Sequence, residues 1–232
     1  MTFSIVAFDP DTRSWGIAVA SKFLAVGAVV PWGRAGAGAV ATQATANLSY
    51  GPDGLDLLAG GATADDVVAQ LTGADDERDH RQVGLVDAEG RGATFTGPSC
   101  LDWAGGQAGD GFAIQGNILA GPQVVEAMAG AWQAHADQAF ERRLVTALAA
   151  GDRAGGDRRG RQSAALRVWR AGIAKEHGVP AYTVFHDKTL HEIARSQPRS
   201  LGELRGISGV GTTKLERYGP AILEIVGGSA ST

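Results

Sequence analysis

The second residue of the chain is a threonine, in the opening "MTFSIVAFD". Removal of Met1 ahead of so small a residue leaves a free α-amine and a β-hydroxyl on one residue. The amine has an ordinary pKa of about 7.7–8.0, so near neutral pH it can take the hydroxyl's proton and make Thr2 a nucleophile. The plainer alternative is that Thr2 only begins a strand. Amide hydrolysis would further need donors for an oxyanion and groups that tune the base. "ATQATAN" carries Gln43 and Asn47, and "IQGN" carries Gln115 and Asn117. Their amides can bind a substrate or cap loops. Lys22 follows Ser21 at the end of "GIAVAS", where a second strand would return beside the first. Its charge would lower the amine pKa, or simply solvate a strand end. These residues, Thr2, Lys22, Gln43, Asn47 and Asn117, are the candidate catalytic set.

A second set lies near the C-terminus. "GISGVGTTKLERYG" reads as a helix–turn–helix segment. Its glycines permit close approach, and the N–H groups opening the second helix can meet a phosphate. Lys214 and Arg217 are three apart on one helical face. Lys175 and Lys188 add further cations.

Other patterns carry less. "GRAGAG" is followed by a strand-like run and not by a helix, which excludes a dinucleotide fingerprint. "GISGVGTTK" lacks a lysine directly after Gly211, so it is not a phosphate-binding P-loop, and no ATPase or helicase motor is expected. Cys100 is a lone cysteine and reads as a buried thiol. The histidines have no metal-ligand spacing, so neither metal nor cofactor is expected.

Elements must position these groups. "FSIVAFD", "WGIAVAS", "AVGAVVPW", "AGAVATQA" and "GDGFAIQGNIL" read as strands, and "RQVGLVDAEGRGATFTG" as a hairpin around "DAEG". "GPDGLDLLAGGATADDVVAQLTG" has helical spacing with a second start at Thr63 or at Ala64–Asp65. "GPQVVEAMAGAWQAHADQAFERRLVTALAAG" is a longer helical stretch from Gly121-Pro122 to Gly151. The order implies an α+β fold with helices covering sheets. After the glycine-rich "GDRAGGDRRGRQS" the pattern turns all-α, in short helices near 164–177, 187–195, 200–206, 211–217 and 219–226.

Charge divides the same way. Residues 1–167 carry a net charge of −6, and residues 168–232 a net charge of +2. So small an excess does not establish nucleic-acid binding alone, and any such binding should be weak and salt-sensitive. No run approaches 18 apolar residues, and the N-terminus lacks a basic-then-apolar leader. With one cysteine and no disulfide, a cytoplasmic protein with no membrane partner is expected. A homo-oligomer is compatible with the sequence.

The long blocks "MTFSIVAFDPDTRSWGIAVASKF", "HRQVGLVDAEGRGATFTGPSCLDWAGG" and "GDGFAIQGNILAGPQVVEAMAGAW" resemble an uncharacterised family of the Ntn-hydrolase superfamily, over residues 1 to about 167. The resemblance implies αββα layers with the nucleophile on the N-terminal strand, and an amide substrate of unknown identity. "GVPAYTVFHDKTLHEIA" and "GISGVGTTKLERYG" are similar to the HRDC domain of RecQ-type helicases, over about 164–226. That resemblance implies a five-helix bundle and contact with single-stranded DNA, in which Tyr182 would stack on a base.

Domains at 1–163 and 164–232 are therefore expected, an Ntn-hydrolase-like unit and an HRDC-like unit. The first resemblance implies more strands after "RQSAAL", so its sheet is expected to be incomplete. Ser163–Val168 suits a strand and Ala164–His177 a helix. The helix is the expectation, because Trp169 and Ile173 continue its period. Against the fusion enzyme stands the alternative of a chimeric or truncated chain that only binds single-stranded nucleic acid weakly.

Overall fold

A computed structural model describes residues 2–170, 196, 198–212, 215, 216, 219 and 223. Contacts divide the chain into two compact units, Met1–Ile173 and Ala174–Thr232.

The first unit is a mixed α+β sandwich of two antiparallel sheets. One has the order β7-β8-β1-β2-β9, from β1 (Thr2–Asp9), β2 (Ser14–Ser21), β7 (Gly105–Gly109), β8 (Phe112–Asn117) and β9 (Ser163–Arg170). The other has the order β3-β4-β5-β6, from β3 (Pro31–Arg34), β4 (Gly38–Ala44), β5 (Arg81–Val86) and β6 (Gly92–Thr96). β1 is the central strand and is buried on both faces. Alternation sends Phe3, Ile5 and Ala7 into a core with α3 (Gln123–Ala134) and α4 (Phe140–Arg153). The other face, with Thr2 and Ser4, meets the second sheet, where Gln43 of β4 hydrogen-bonds both residues. Helices α1 (Tyr50–Ala59) and α2 (Ala64–Gly73) cover the second sheet through Leu55, Leu58, Val67 and Leu71. The layers thus run helix, sheet, sheet, helix.

Local chemistry explains the elements. Thr63 caps α2, accepting from the Asp66 amide at 3.2 Å, and Asp65 and Asp66 favour its positive N-terminal end. In the β5–β6 hairpin Asp87 Oδ1 accepts from the amides of Glu89 and Arg91 at 2.9 and 3.0 Å. The Trp15 indole joins the sheets by donating to the Asp87 carbonyl at 2.9 Å.

Three expectations are corrected. "AVGAVVPW" is not one strand: Val26–Ala28 is a 3₁₀ turn ahead of β3. The stretch from Gly121 to Gly151 is two helices, interrupted at residues 135–139, with Gly151 inside the second. Arg143 seals the break, donating to the Trp132 carbonyl at 2.7 Å with its guanidinium 3.6 Å above the Trp132 ring. Most consequentially, residues 164–170 are not helical. Ser163–Arg170 pairs along the whole of β2, from Ser21↔Ser163 to Ser14↔Arg170. Trp169 decides this locally, because its indole lies flat over Gly33, where any Cβ would overlap the ring. Arg170 also forms an ion pair with Glu141 of α4. The first strand expected to be lost is therefore in the sheet.

In the second unit, Leu201–Arg205 is a short helix capped by Ser200, which accepts from the Glu203 amide at 3.2 Å. Leu204, Ile207 and Val210 bury together, with Leu215 and Leu223 packed against them. Gly209 sits at φ +92°, the left-handed turn that glycine adopts without strain. The five-helix bundle expected from the sequence falls largely on residues outside those described.

Candidate active site

Thr2 is the first residue of β1, paired with Ser21 on one side and Asn117 on the other. It is 7% exposed and Ser21 is 2% exposed. Their hydroxyls lie 3.1 Å apart. The Thr2 carbonyl accepts from Gln43 Nε2 at 3.2 Å.

Gln43 is the hub of a buried polar seam between the sheets. Its Oε1 accepts from the Ser4 hydroxyl at 2.7 Å, and its Nε2 also donates to Gln82 Oε1 at 2.8 Å. Gln115 Nε2 donates to the Ser4 oxygen at 2.7 Å, and Asn117 Nδ2 donates to Gln82 Oε1 at 2.9 Å. Gln82 Nε2 in turn donates to the Gly116 carbonyl at 2.8 Å and to Thr96 Oγ1 at 2.9 Å. Among the described residues no buried side-chain nitrogen or oxygen lacks a partner. Such a seam holds one geometry, because moving an amide breaks hydrogen bonds that a dry interior cannot replace. Gly84 makes room for it: a Cβ there would overlap the Gln115 amide.

Thr2, Gln43 and Asn117 of the candidate set therefore meet at one end of the sandwich. Lys22 stands next to Ser21 in the chain, but its side chain is exposed. Its backbone N–H donates to Asp157 at 2.8 Å, and its ammonium lies beside Gly160. Asn47 belongs to a different cluster. Asn47 Nδ2, Tyr50 Oη and Arg81 Nε each donate to Asp75 Oδ2 at 3.0 Å. Those bonds, the Asn47 amide first, hold the Asp75 carboxyl well below the usual carboxylate range. Burial and the Asp75 bond push the Tyr50 hydroxyl above its ordinary value. Cys100 points its thiol at the Arg81 carbonyl at 3.3 Å, and burial pushes its pKa up, away from a reactive thiolate.

Ser4 and Gln82 were not singled out from the sequence. Their signal was a polar residue at an inward position of a strand that is buried on both faces. Tyr182, Lys175, Lys188, Lys214 and Arg217, the candidate nucleic-acid contacts, lie outside the described residues. Among the described residues no group of three or more His, Cys, Asp or Glu side chains could hold a metal ion. No helix among them is long and apolar enough to cross a membrane.

The family model described as "Family of unknown function (DUF1028)" matches residues 2–194. The chain belongs to DUF1028. The crystal structure of a protein from Silicibacter pomeroyi described as a DUF1028 family model superposes with a TM-score of 0.68 at 36% identity. The match covers 73% of this chain and 76% of that one. The HRDC domain model matches residues 163–226, so residues 163–194 fall under both families. This region is 44% identical over 63 residues to an ATP-dependent DNA helicase RecQ of Pasteurella multocida, covering 27% of this chain and 10% of the helicase. It is 48% identical over 63 residues to an ATP-dependent DNA helicase UvrD2 of Mycobacterium tuberculosis, covering 27% and 9%. The chain thus spans about a tenth of the length of the curated relatives it matches.

Proposed function

We propose that this DUF1028 protein is an N-terminal-threonine amide hydrolase fused to a nucleic-acid-binding HRDC module without a helicase motor. The observation that carries the enzymatic reading is the placement of Thr2. It starts the central strand, nearly buried, with a hydroxyl partner in Ser21 and its carbonyl held by Gln43.

Once Met1 is removed, the Thr2 amine takes the hydroxyl proton as Oγ1 attacks the amide carbonyl. The Oγ1–C bond forms, the C–N bond breaks, and the leaving amine receives the proton. Water, deprotonated by the same amine, then attacks the ester and releases the acid, returning the proton to Thr2 Oγ1. Ser21 orients the hydroxyl before attack. Asn117 and Gln43 fix the strand end, while the exposed Lys22 ammonium stays in solvent beside Gly160. Asn47 acts at a distance, by holding the loop after β4.

The test begins with the intact mass of the purified full chain. Loss of Met1 is expected, and a retained Met1 eliminates the free amine and the mechanism with it. Hydrolysis of a panel of 4-nitroanilides should then depend on Thr2 and decline as pH falls below about 8, where the amine protonates.

The HRDC module would contact single-stranded DNA by stacking a base on Tyr182, with Lys175, Lys188, Lys214 and Arg217 on phosphates. Its similarity to the helicases RecQ and UvrD2 supports this. Fluorescence anisotropy with a labelled oligonucleotide at low salt checks it. No binding, or unchanged binding by Tyr182→Ala, defeats it.

A further inference from the structure

The two sheets of the sandwich have four edges, and three of them are blunted. β3 is four residues long and begins at Pro31, which has no N–H to donate. β6 and β7 are five residues each, and the Arg91↔Asp110 bridge joins the start of one to the end of the other. β9 is different. It is eight residues long, holds no proline, and pairs with β2 in continuous register, without a bulge. Among the described residues no strand lies beyond it. A long, regular edge presents a row of backbone donors and acceptors, a template for another strand.

Apolar surface runs along the same edge. Two ion pairs, Arg170–Glu141 and Arg161–Asp152, lay α4 antiparallel beside β9. Between them Val145 of α4 lines a groove with Leu148, Ala149 and Ala164. Val145 is 48% exposed, Leu166 in the middle of the strand is 39% exposed, and Ala164 is exposed as well. Alternation puts Ala164, Leu166 and Val168 on the face toward α4. Ala165, Arg167 and Trp169 take the opposite face, where Ala165 lies against Gly27 and Trp169 over Gly33.

We propose that β9 pairs antiparallel with β9 of a second copy of this chain, so that two five-stranded sheets continue into one another. The sequence of the strand selects this occupant. An antiparallel pair of identical strands has its two-fold axis perpendicular to the sheet, so each residue meets one from the same face. With Leu166 on the axis, it meets Leu166 of the second copy. Ala164 then meets Val168, Ala165 meets Arg167, and Ser163 meets Trp169, so every residue from 163 to 169 has a partner and no like charges oppose each other. The face toward α4 stays apolar across the junction, flanked by Val145 of each copy. Centring the pair on Arg167 instead would set two guanidinium groups face to face, which destabilises a cross-strand pair. Because Ser163 of one copy lies beside Trp169 of the other, the two Thr2 ends point in opposite directions.

The experiment is sedimentation velocity on the full chain, without nucleic acid, over a dilution series. A dimer is expected. Leu166→Lys sets two ammonium groups on the axis and should raise the dimer dissociation constant at least about tenfold, with the far-UV circular dichroism unchanged. Leu201→Lys, at an exposed apolar position of the C-terminal unit, should leave the constant as it is. Directly opposed antiparallel residues have Cα atoms about 4.5–5.5 Å apart, within reach of a disulfide. Leu166→Cys combined with Cys100→Ser should therefore give a covalent dimer on oxidation. A chain that stays monomeric, as it would if this edge served a strand of another protein, overturns the proposal. A dimer that does not cross-link through Leu166→Cys, or that a folded Leu166→Lys variant leaves intact, overturns it as well. If Leu166→Lys unfolds the chain, the cross-link alone decides.

Discussion

The sandwich and the C-terminal unit fold around different interiors. Between its two sheets the sandwich buries Ser4, Gln43, Gln82, Gln115 and Asn117, linked to one another by hydrogen bonds. The C-terminal unit, over its described residues, buries Leu204, Ile207 and Val210 and no polar seam. An apolar cluster tolerates repacking, whereas a chain of amides does not, because each donor and acceptor has an assigned partner. Chemistry that needs fixed atoms is therefore better served by the seam of the sandwich than by the apolar cluster of the C-terminal unit.

That division can be broken. The largest expected effect is Thr2→Ala, which should lower amide turnover by about a thousandfold or more and leave oligonucleotide affinity unchanged. A parallel loss of both in activity and anisotropy assays would show that the two parts do not act separately. Next is Gly84→Ala. Its methyl group displaces the Gln115 amide, so urea denaturation should show a loss of about 1–3 kcal/mol together with reduced turnover. Gly73→Ala, with nothing near its added Cβ, should show neither.

Third comes pH. The Asp75 carboxyl is depressed in the folded state, so its stabilisation is complete above the ordinary value of 3.8 and is lost as pH falls below it. The Tyr50 hydroxyl is raised, so its contribution is complete below 10.0 and is lost as pH climbs above it. Urea midpoints across pH should show both limbs. Asp75→Asn should flatten the acid limb, and Tyr50→Phe the alkaline one. The smallest effect is Ser200→Ala, about 1 kcal/mol of local stability through loss of the cap. Hydrogen exchange should quicken at the Glu203 amide and at no amide of the sandwich.

The sequence exposes much of this arrangement because strand alternation is a short-range code. β1, β2, β4, β8 and the β5–β6 hairpin follow from apolar and polar period alone, and the start of α2 follows from Thr63. The amides of Gln43 and Asn117 were visible as polar residues within apolar runs. Asn47 looked equivalent to them, but it lies past the end of β4, where a loop turns it toward Asp75. β7, "GGQAG", has almost no side chains to carry a pattern and is set by pairing with β8. β9 departs from its expectation for the opposite reason. "SAALRVWR" satisfies both a strand and a helix period, and contacts far away in the chain, pairing with β2 and the seat of Trp169 at Gly33, favour the strand.

The orientation of β9 has a mechanical consequence. The strand enters the sheet at Ser163, at the Thr2 end, and leaves it at Arg170, at the far end. Tension on the chain beyond Arg170 therefore loads the Ser14–Arg170 pair first and peels the strand backwards, one pair at a time. Trp169 leaves its slot at the beginning of that sequence, and Ser163, whose hydroxyl donates to the Phe23 carbonyl, lets go last. Force applied beyond Arg170 should thus brighten or shift the indole emission long before it disturbs the threonine.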